Sequence, residues 1–292
     1  MSVIGLGYVG LNVSSVEAWK AWAGDFLGAM AGPASPAGVE RLRLDGYAWR
    51  IALERGDRDD IAYVGFEVAG PAELAALRSD LVGAGLEAED GDVDLLAERG
   101  VMGLIRSRDP EGLPVEIYYG PTHLTNAPFV SPVGARFVTG EQGLGHIVLS
   151  TRDLAATRRF YLDILGFRQS DTIRMGMGPE FHVDLEFYYC NPRHHTLAVA
   201  PLPFAPPKRL HHMMVQVETL DEVGFALDRV ERTNTRLLQT LGRHSNDKMV
   251  SFYVMTPSGF ELEYGYDALQ VDAATWTMAR HDKISAWGHQ RL

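Results

Sequence analysis

The chain has one cysteine, Cys190, among its 292 residues. No internal disulfide is possible, and a lone thiol fits a reducing compartment; a buried, inert thiol is expected. Nowhere does an uninterrupted apolar run approach the roughly 18 residues of a bilayer-crossing helix. The start, Met1-Ser2-Val3-Ile4-Gly5, has no basic residue ahead of its first apolar stretch and no small-residue cleavage site. No secretory signal is readable there, and a cytoplasmic protein is expected. Basic residues are in deficit, 27 against 38 acidic ones, for a formal charge of −11. That balance argues against nucleic acid and anionic membrane surfaces as partners. The acidic stretch Glu87 to Asp92 reads as a solvated loop. What remains is ordinary globular composition, 46% hydrophobic and 22% charged, enough for sizeable cores in two domains of roughly 150 residues each.

The chain repeats itself. Leu6-Gly7-Tyr8-Val9-Gly10-Leu11 resembles Leu144-Gly145-His146-Ile147-Val148-Leu149, and helix-like segments follow that end in Leu27-Gly28 and Leu165-Gly166. Ala62 to Val68 matches His211 to Val217, and Asp109 to Glu116 matches Thr256 to Glu263, in the same order. The pattern predicts a duplicated domain: residues 1–130 as an N-terminal scaffold without metal, and 140–292 as the catalytic half. The stretch Asn126 to Gly140, with Pro128, Pro132 and Gly134, is the natural boundary. Within each half a smaller strand–helix–strands unit occurs twice. Ser14-x-x-Glu17 and Thr219-x-x-Glu222 read as capping boxes, Pro71 suits a first helical turn, and Gly166 suits the position just past a helix end. Alternation over Glu180 to Tyr189 and Met249 to Val254 reads as strand. The expected class is α+β, with two tandem domains, each of two βαβββ modules curling into a partly open barrel.

Gly5-x-Gly7-x-x-Gly10 matches the dinucleotide-binding fingerprint, but the context is wrong. Only four residues precede Gly5, the helix starts too late for its amides to meet a pyrophosphate, and Asp25 falls inside the helix. A strand whose glycines admit another backbone is the expected reading.

The repeat also sorts the ten histidines. Where the first half has Tyr8, Tyr63 and Glu116, the second has His146, His212 and Glu263. Two imidazoles and a carboxylate on three strands is the composition of the facial triad of non-haem Fe(II) sites. Strand parity puts His212 rather than His211 beside His146. It cannot separate Glu261 from Glu263; the match to Glu116 does.

His244, seven residues, then Phe252-Tyr253-x-x-Thr256-Pro257-Ser258-Gly259-x-x-x-Glu263 resembles the signature of type I extradiol ring-cleavage dioxygenases, of the vicinal oxygen chelate superfamily. Gly143 to His146, Asn191 to Thr196 and the tail Trp276 to His289 extend the resemblance to nearly the whole chain. It implies Fe(II) held by His146, His212 and Glu263, His195 as the acid–base residue, and His244 and Tyr253 on the oxygens of a catechol that reacts with O2. A histidine near its ordinary pKa can carry a proton at neutral pH, and a phenol can hydrogen-bond a developing oxyanion. Asn246 and Asp247 are candidates to orient His244 or to make a plain turn. Phe187, Met175, Val148 and Ala200 are candidate walls of a pocket for a two-ring or fused-ring catechol such as 2,3-dihydroxybiphenyl. A homo-oligomer working in aromatic-compound catabolism is expected. Two extra residues in Pro201 to Pro207 depart from the family pattern beside the expected site. A metal-dependent glyoxalase-type isomerase or a metal-free ligand-binding protein of the superfamily are the alternatives, and neither uses His195, His244 and Tyr253 together with the triad.

Overall fold

A computed structural model describes residues 3–176, 178 and 181–292. Four modules follow one another. The first is β1 (Val3–Val13), α1 (Val16–Trp22), β2 (Met30–Ala31), β3 (Glu40–Arg43) and β4 (Ile51–Arg55). The second is β5 (Asp60–Val68), α2 (Pro71–Gly83), β6 (Glu89–Asp90), an inserted α3 (Val93–Arg99), β7 (Gly103–Arg108) and β8 (Pro114–Tyr119). The third is β9 (His146–Thr151), α4 (Leu154–Arg158), β10 (Arg168–Gly176), β11 (His182–Tyr189) and β12 (Leu197–Pro201). The fourth is β13 (Leu210–Val217), α5 (Leu220–Arg232), β14 (Leu237–His244), β15 (Val250–Met255) and β16 (Glu261–Tyr266). Two short tail strands, β17 (Ala279–His281) and β18 (Ser285–Trp287), complete the chain. The first sheet runs β2-β3-β4-β1-β5-β8-β7-β6, and the second repeats that order as β10-β11-β12-β9-β13-β16-β15-β14, with β17 and β18 on its edges. The fold is therefore α+β, built from four βαβββ modules in two curled sheets. No helix among the described residues is long and apolar enough to cross a membrane.

Local signals explain most boundaries. Thr219 and Glu222 form a reciprocal capping box at α5, Pro71 opens α2, and Gly166 takes a left-handed φ of 78° past the third module's helix. The α1 cap differs from expectation: Ser15, not Ser14, accepts the Ala18 amide, and the Ser14 amide donates to Asp59 instead. The acidic stretch is exposed, but it carries β6 and the α3 cap Asp92 rather than a bare loop. The alternating segment begins as strand at His182, and Glu180 lies outside the described residues.

The N-terminal glycines sit inside β1, as expected, but two of them admit rings rather than a backbone. A Cβ on Gly7 would lie 1.5 Å from the Tyr118 hydroxyl, and one on Gly10 would lie 2.2 Å from the Tyr63 ring; only Gly5 faces a backbone, that of Gly143. Alternate residues of the central strands Ile147, Leu149, Met213, Val215, Phe252, Val254 and Leu262 belong to one apolar core. That core is continuous across both sheets, where Phe66 packs on Phe167 and Trp19 on Phe260. The other face of the second sheet is thereby left to His146, Val148, His212, Tyr253 and Glu263.

Candidate metal centre and substrate cavity

Register brings the three expected ligands together. In the central strand β13, Met214 pairs with His146 on one side and with Glu263 on the other, and His212 lies two residues away on the same face. His211 lies outside the donor cluster but still lines the cavity, with its Nδ1 2.8 Å from Nδ1 of His212. Nε2 of His146 and Nε2 of His212 are 3.3 Å apart, and Oε2 of Glu263 is 3.2 Å from the first and 3.4 Å from the second. Three electron-pair donors at such edges fit one metal ion, since bonds of about 2.1 Å at near-right angles put neighbouring donors roughly 3 Å apart. The second oxygen of Glu263 is held by Ser251 Oγ at 2.6 Å and His244 Nε2 at 3.0 Å, which fixes the carboxylate with Oε2 turned toward the two imidazoles.

Burial tunes these groups. It pulls the His146 pKa down to about 4, and that of His195 well below its ordinary value, since a proton on His195 would also crowd against the adjacent His146 and His194 imidazoles. Both are therefore neutral imidazoles at neutral pH, the form that ligates metal or accepts a proton. Burial opposes a charge on His244 too, but the adjacent Glu263 carboxylate raises its pKa to about 9. Burial first, and then the Glu263 charge, push Tyr253 well above its ordinary value, so it stays a phenol that can donate a hydrogen bond. Cys190 is buried, and its thiol is pushed up to about 12, an inert group as expected.

The triad floors a cavity of about 250 Å³ whose lining includes Val148, Ile173, Met175, Leu185, Phe187, Ala198 and Ala200 on one side. His195, His244, Asn246, Asp247 and Tyr253 also face it. The His195 ring stacks against His146 with centroids 4.0 Å apart and meets Phe187 edge-on. His244 Nε2 reaches the Tyr253 hydroxyl at 2.8 Å. Its orientation comes from an unexpected partner: Nδ1 is 3.1 Å from the Ile284 carbonyl of the tail, which accepts the Nδ1 hydrogen. Neither Asn246 nor Asp247 holds it. Asp247 takes the Met249 amide in a turn, and the buried amide nitrogen of Asn246 has no partner among the described residues. The stretch after Pro201 supplies no described lining residue, because the wall ends at Ala200. Ile284, Gln239 and Arg291 on the cavity wall, and Ser251 behind Glu263, were missed from sequence. Of these, Ser251 was within reach, since it shares a strand face with Tyr253.

The first half shows what became of the equivalent position. The Tyr8 hydroxyl donates to Glu116 Oε2 at 2.7 Å, and Arg99 makes a bidentate pair with the same carboxylate at 2.8 and 2.9 Å. The Arg99 guanidinium also lies 4.0 Å over the Tyr63 ring. A cation from the chain itself balances Glu116 there.

Comparison with known proteins agrees with this geometry. Residues 143–264 match the glyoxalase/bleomycin resistance protein/dioxygenase superfamily, and residues 6–56 match the first domain of dihydroxybiphenyl dioxygenase BphC. The chain is 48% identical over its whole length, and 95% of the other's, to a biphenyl-2,3-diol 1,2-dioxygenase of Metapseudomonas furukawaii. It is 40% identical, over 99% of its length and 97% of the other's, to an iron-dependent extradiol dioxygenase of Rhodococcus jostii. A crystal structure of catechol 2,3-dioxygenase superposes over 100% of this chain and 96% of that one, with a TM-score of 0.93 at 34% identity. Paired curled sheets built from four such modules, together with the family match, place the chain in the vicinal oxygen chelate superfamily. Within that class, the chain belongs to the extradiol ring-cleavage dioxygenase family.

Proposed function

We propose that this enzyme opens the ring of a two-ring catechol, 2,3-dihydroxybiphenyl or one of similar size, next to its two hydroxyls, using O2 and an Fe(II) held by His146, His212 and Glu263. The observation that carries this reading is the triangle of donor atoms, 3.2 to 3.4 Å on an edge, at the floor of an apolar cavity. When bound, Fe(II) supplies a redox-active centre with open positions for a chelating diol and for dioxygen. One carboxylate and two neutral imidazoles leave that centre a net positive charge, which favours an ionised catechol. His195, neutral and against the His146 ring, takes a proton from the substrate and returns it to the opening product. Tyr253 and His244 hydrogen-bond a catechol oxygen and hold its developing charge. Phe187, Leu185 and Ile173 exclude water from the ring that reacts.

The walls set substrate size. A cavity of about 250 Å³ lies below the roughly 300 Å³ at which drug-sized sites begin, so a small aromatic diol is the fitting occupant. Burying a second ring removes on the order of 100 Å² of apolar surface, about 2.5 kcal/mol before ordering costs. At about 1.4 kcal/mol per decade, a two-ring catechol is expected to exceed plain catechol in kcat/KM by roughly tenfold or more. Oxygen uptake with catechol, 3-methylcatechol, 2,3-dihydroxybiphenyl and 1,2-dihydroxynaphthalene measures this. Equal or better rates with plain catechol would remove the two-ring reading.

A further inference from the structure

A buried polar chain runs behind His195, away from the triad. His195 Nδ1 is 3.1 Å from Nδ1 of His194, and His194 Nε2 is 2.8 Å from Asp171 Oδ2. His194 and Asp171 are almost wholly buried. The tail pins the carboxylate: Ala279, in the tail strand paired with β10, donates its amide to Asp171 Oδ1 at 2.8 Å. His281 Nε2 is 3.4 Å from Asp171 Oδ2. Trp276 covers the His194 ring edge-on, with centroids 5.4 Å apart.

Hydrogen-bond chemistry orders the protons in this chain. A carboxylate only accepts, so His194 donates from Nε2, and a neutral His194 then has a bare Nδ1. Only one hydrogen fits between two ring nitrogens 3.1 Å apart, so His195 donates from Nδ1. Asp247 does not compete for that hydrogen, because its Oδ2 is 3.9 Å from His195 Nδ1, beyond hydrogen-bond length. His195 Nε2 makes no hydrogen bond among the described residues and stays bare. We infer that Asp171 and His194 are positioning residues that fix His195 in the tautomer whose Nε2 accepts a proton. The inference rests on the reading of His195 as the acid–base residue.

The test is Asp171→Asn, made alone and together with His195→Gln in the iron-loaded enzyme. An amide at 171 can donate to His194 Nε2, which moves the His194 hydrogen to Nδ1 and the His195 hydrogen to Nε2, the wrong tautomer. The single variant is expected to keep its iron and its anaerobic affinity for 2,3-dihydroxybiphenyl, while kcat falls about 10²-fold, the lower end of acid–base contributions. In the His195→Gln background, the same exchange is expected to change kcat by less than about twofold, because residues acting through one group are not additive. An unchanged kcat in the single variant, or an equal drop in both backgrounds, overturns the inference. If His195→Gln alone leaves kcat intact, the acid–base reading falls and this inference with it; if it slows turnover and Asp171→Asn does not, only the inference falls. Should Asp171→Asn not fold, His194→Phe, which offers His195 Nδ1 no acceptor, is expected to lower kcat with iron and affinity kept, and no loss there overturns the inference equally.

Discussion

Glu263→Ala is expected to leave the folded protein without iron and without measurable ring cleavage, whereas Glu116→Ala keeps a full complement of iron. The two glutamates occupy matching positions in the two halves, pairing in parallel register with Gly65 and Met214. Their surroundings differ. Glu263 offers Oε2 to two inward-facing imidazole nitrogens, whereas both oxygens of Glu116 are taken by Arg99 and one also by Tyr8. Losing the ion removes several kcal/mol of transition-state stabilisation, a loss of about 10³-fold or more. Glu116→Ala acts on stability instead. It leaves the Arg99 guanidinium mostly buried and unpaired, at a cost of about 3–5 kcal/mol. Iron per folded chain and the thermal midpoint, measured on both variants, separate the two effects. Iron lost from the Glu116 variant, or retained in the Glu263 variant, would reverse the assignment of the active half.

His195→Gln is expected to keep its iron and to bind the diol, yet to turn over about 10²–10⁴-fold more slowly. The ring touches His146 but has no nitrogen in the donor triangle, so losing it costs a proton carrier and not a ligand. Iron content and kcat measured on one preparation decide between these roles. Iron lost in step with activity would make His195 a ligand.

How legible this was from sequence depended on whether the information was repeated or local. The duplicated pattern carried the four modules, because each module buries one face in the same core and so repeats the same apolar spacing. It also singled out Glu263 over Glu261, which parity alone could not do. Caps were legible only to within a residue: Ser14 and Ser15 are both competent hydroxyls, and the backbone angle at Ser15, φ −136°, chose between them. Contacts made by backbone or by distant chain were invisible. The Ile284 carbonyl that holds His244 comes from 40 residues away and offers no side-chain signal. Asp171 sits in β10 with nothing in its neighbourhood to mark it as the partner of His194, 23 residues on. The glycines of β1 were recognisable as a strand, but that they make room for the Tyr118 and Tyr63 rings depends on strands β8 and β5 packing across them.

The central claim is that this chain uses dioxygen to open an aromatic ring beside its diol. The mass spectrum of the product made from 2,3-dihydroxybiphenyl under heavy-isotope dioxygen tests it most directly. The expected product is ring-opened next to the former hydroxyls and carries heavy oxygen from the gas. A product with its ring intact, or one without heavy oxygen, would contradict the account.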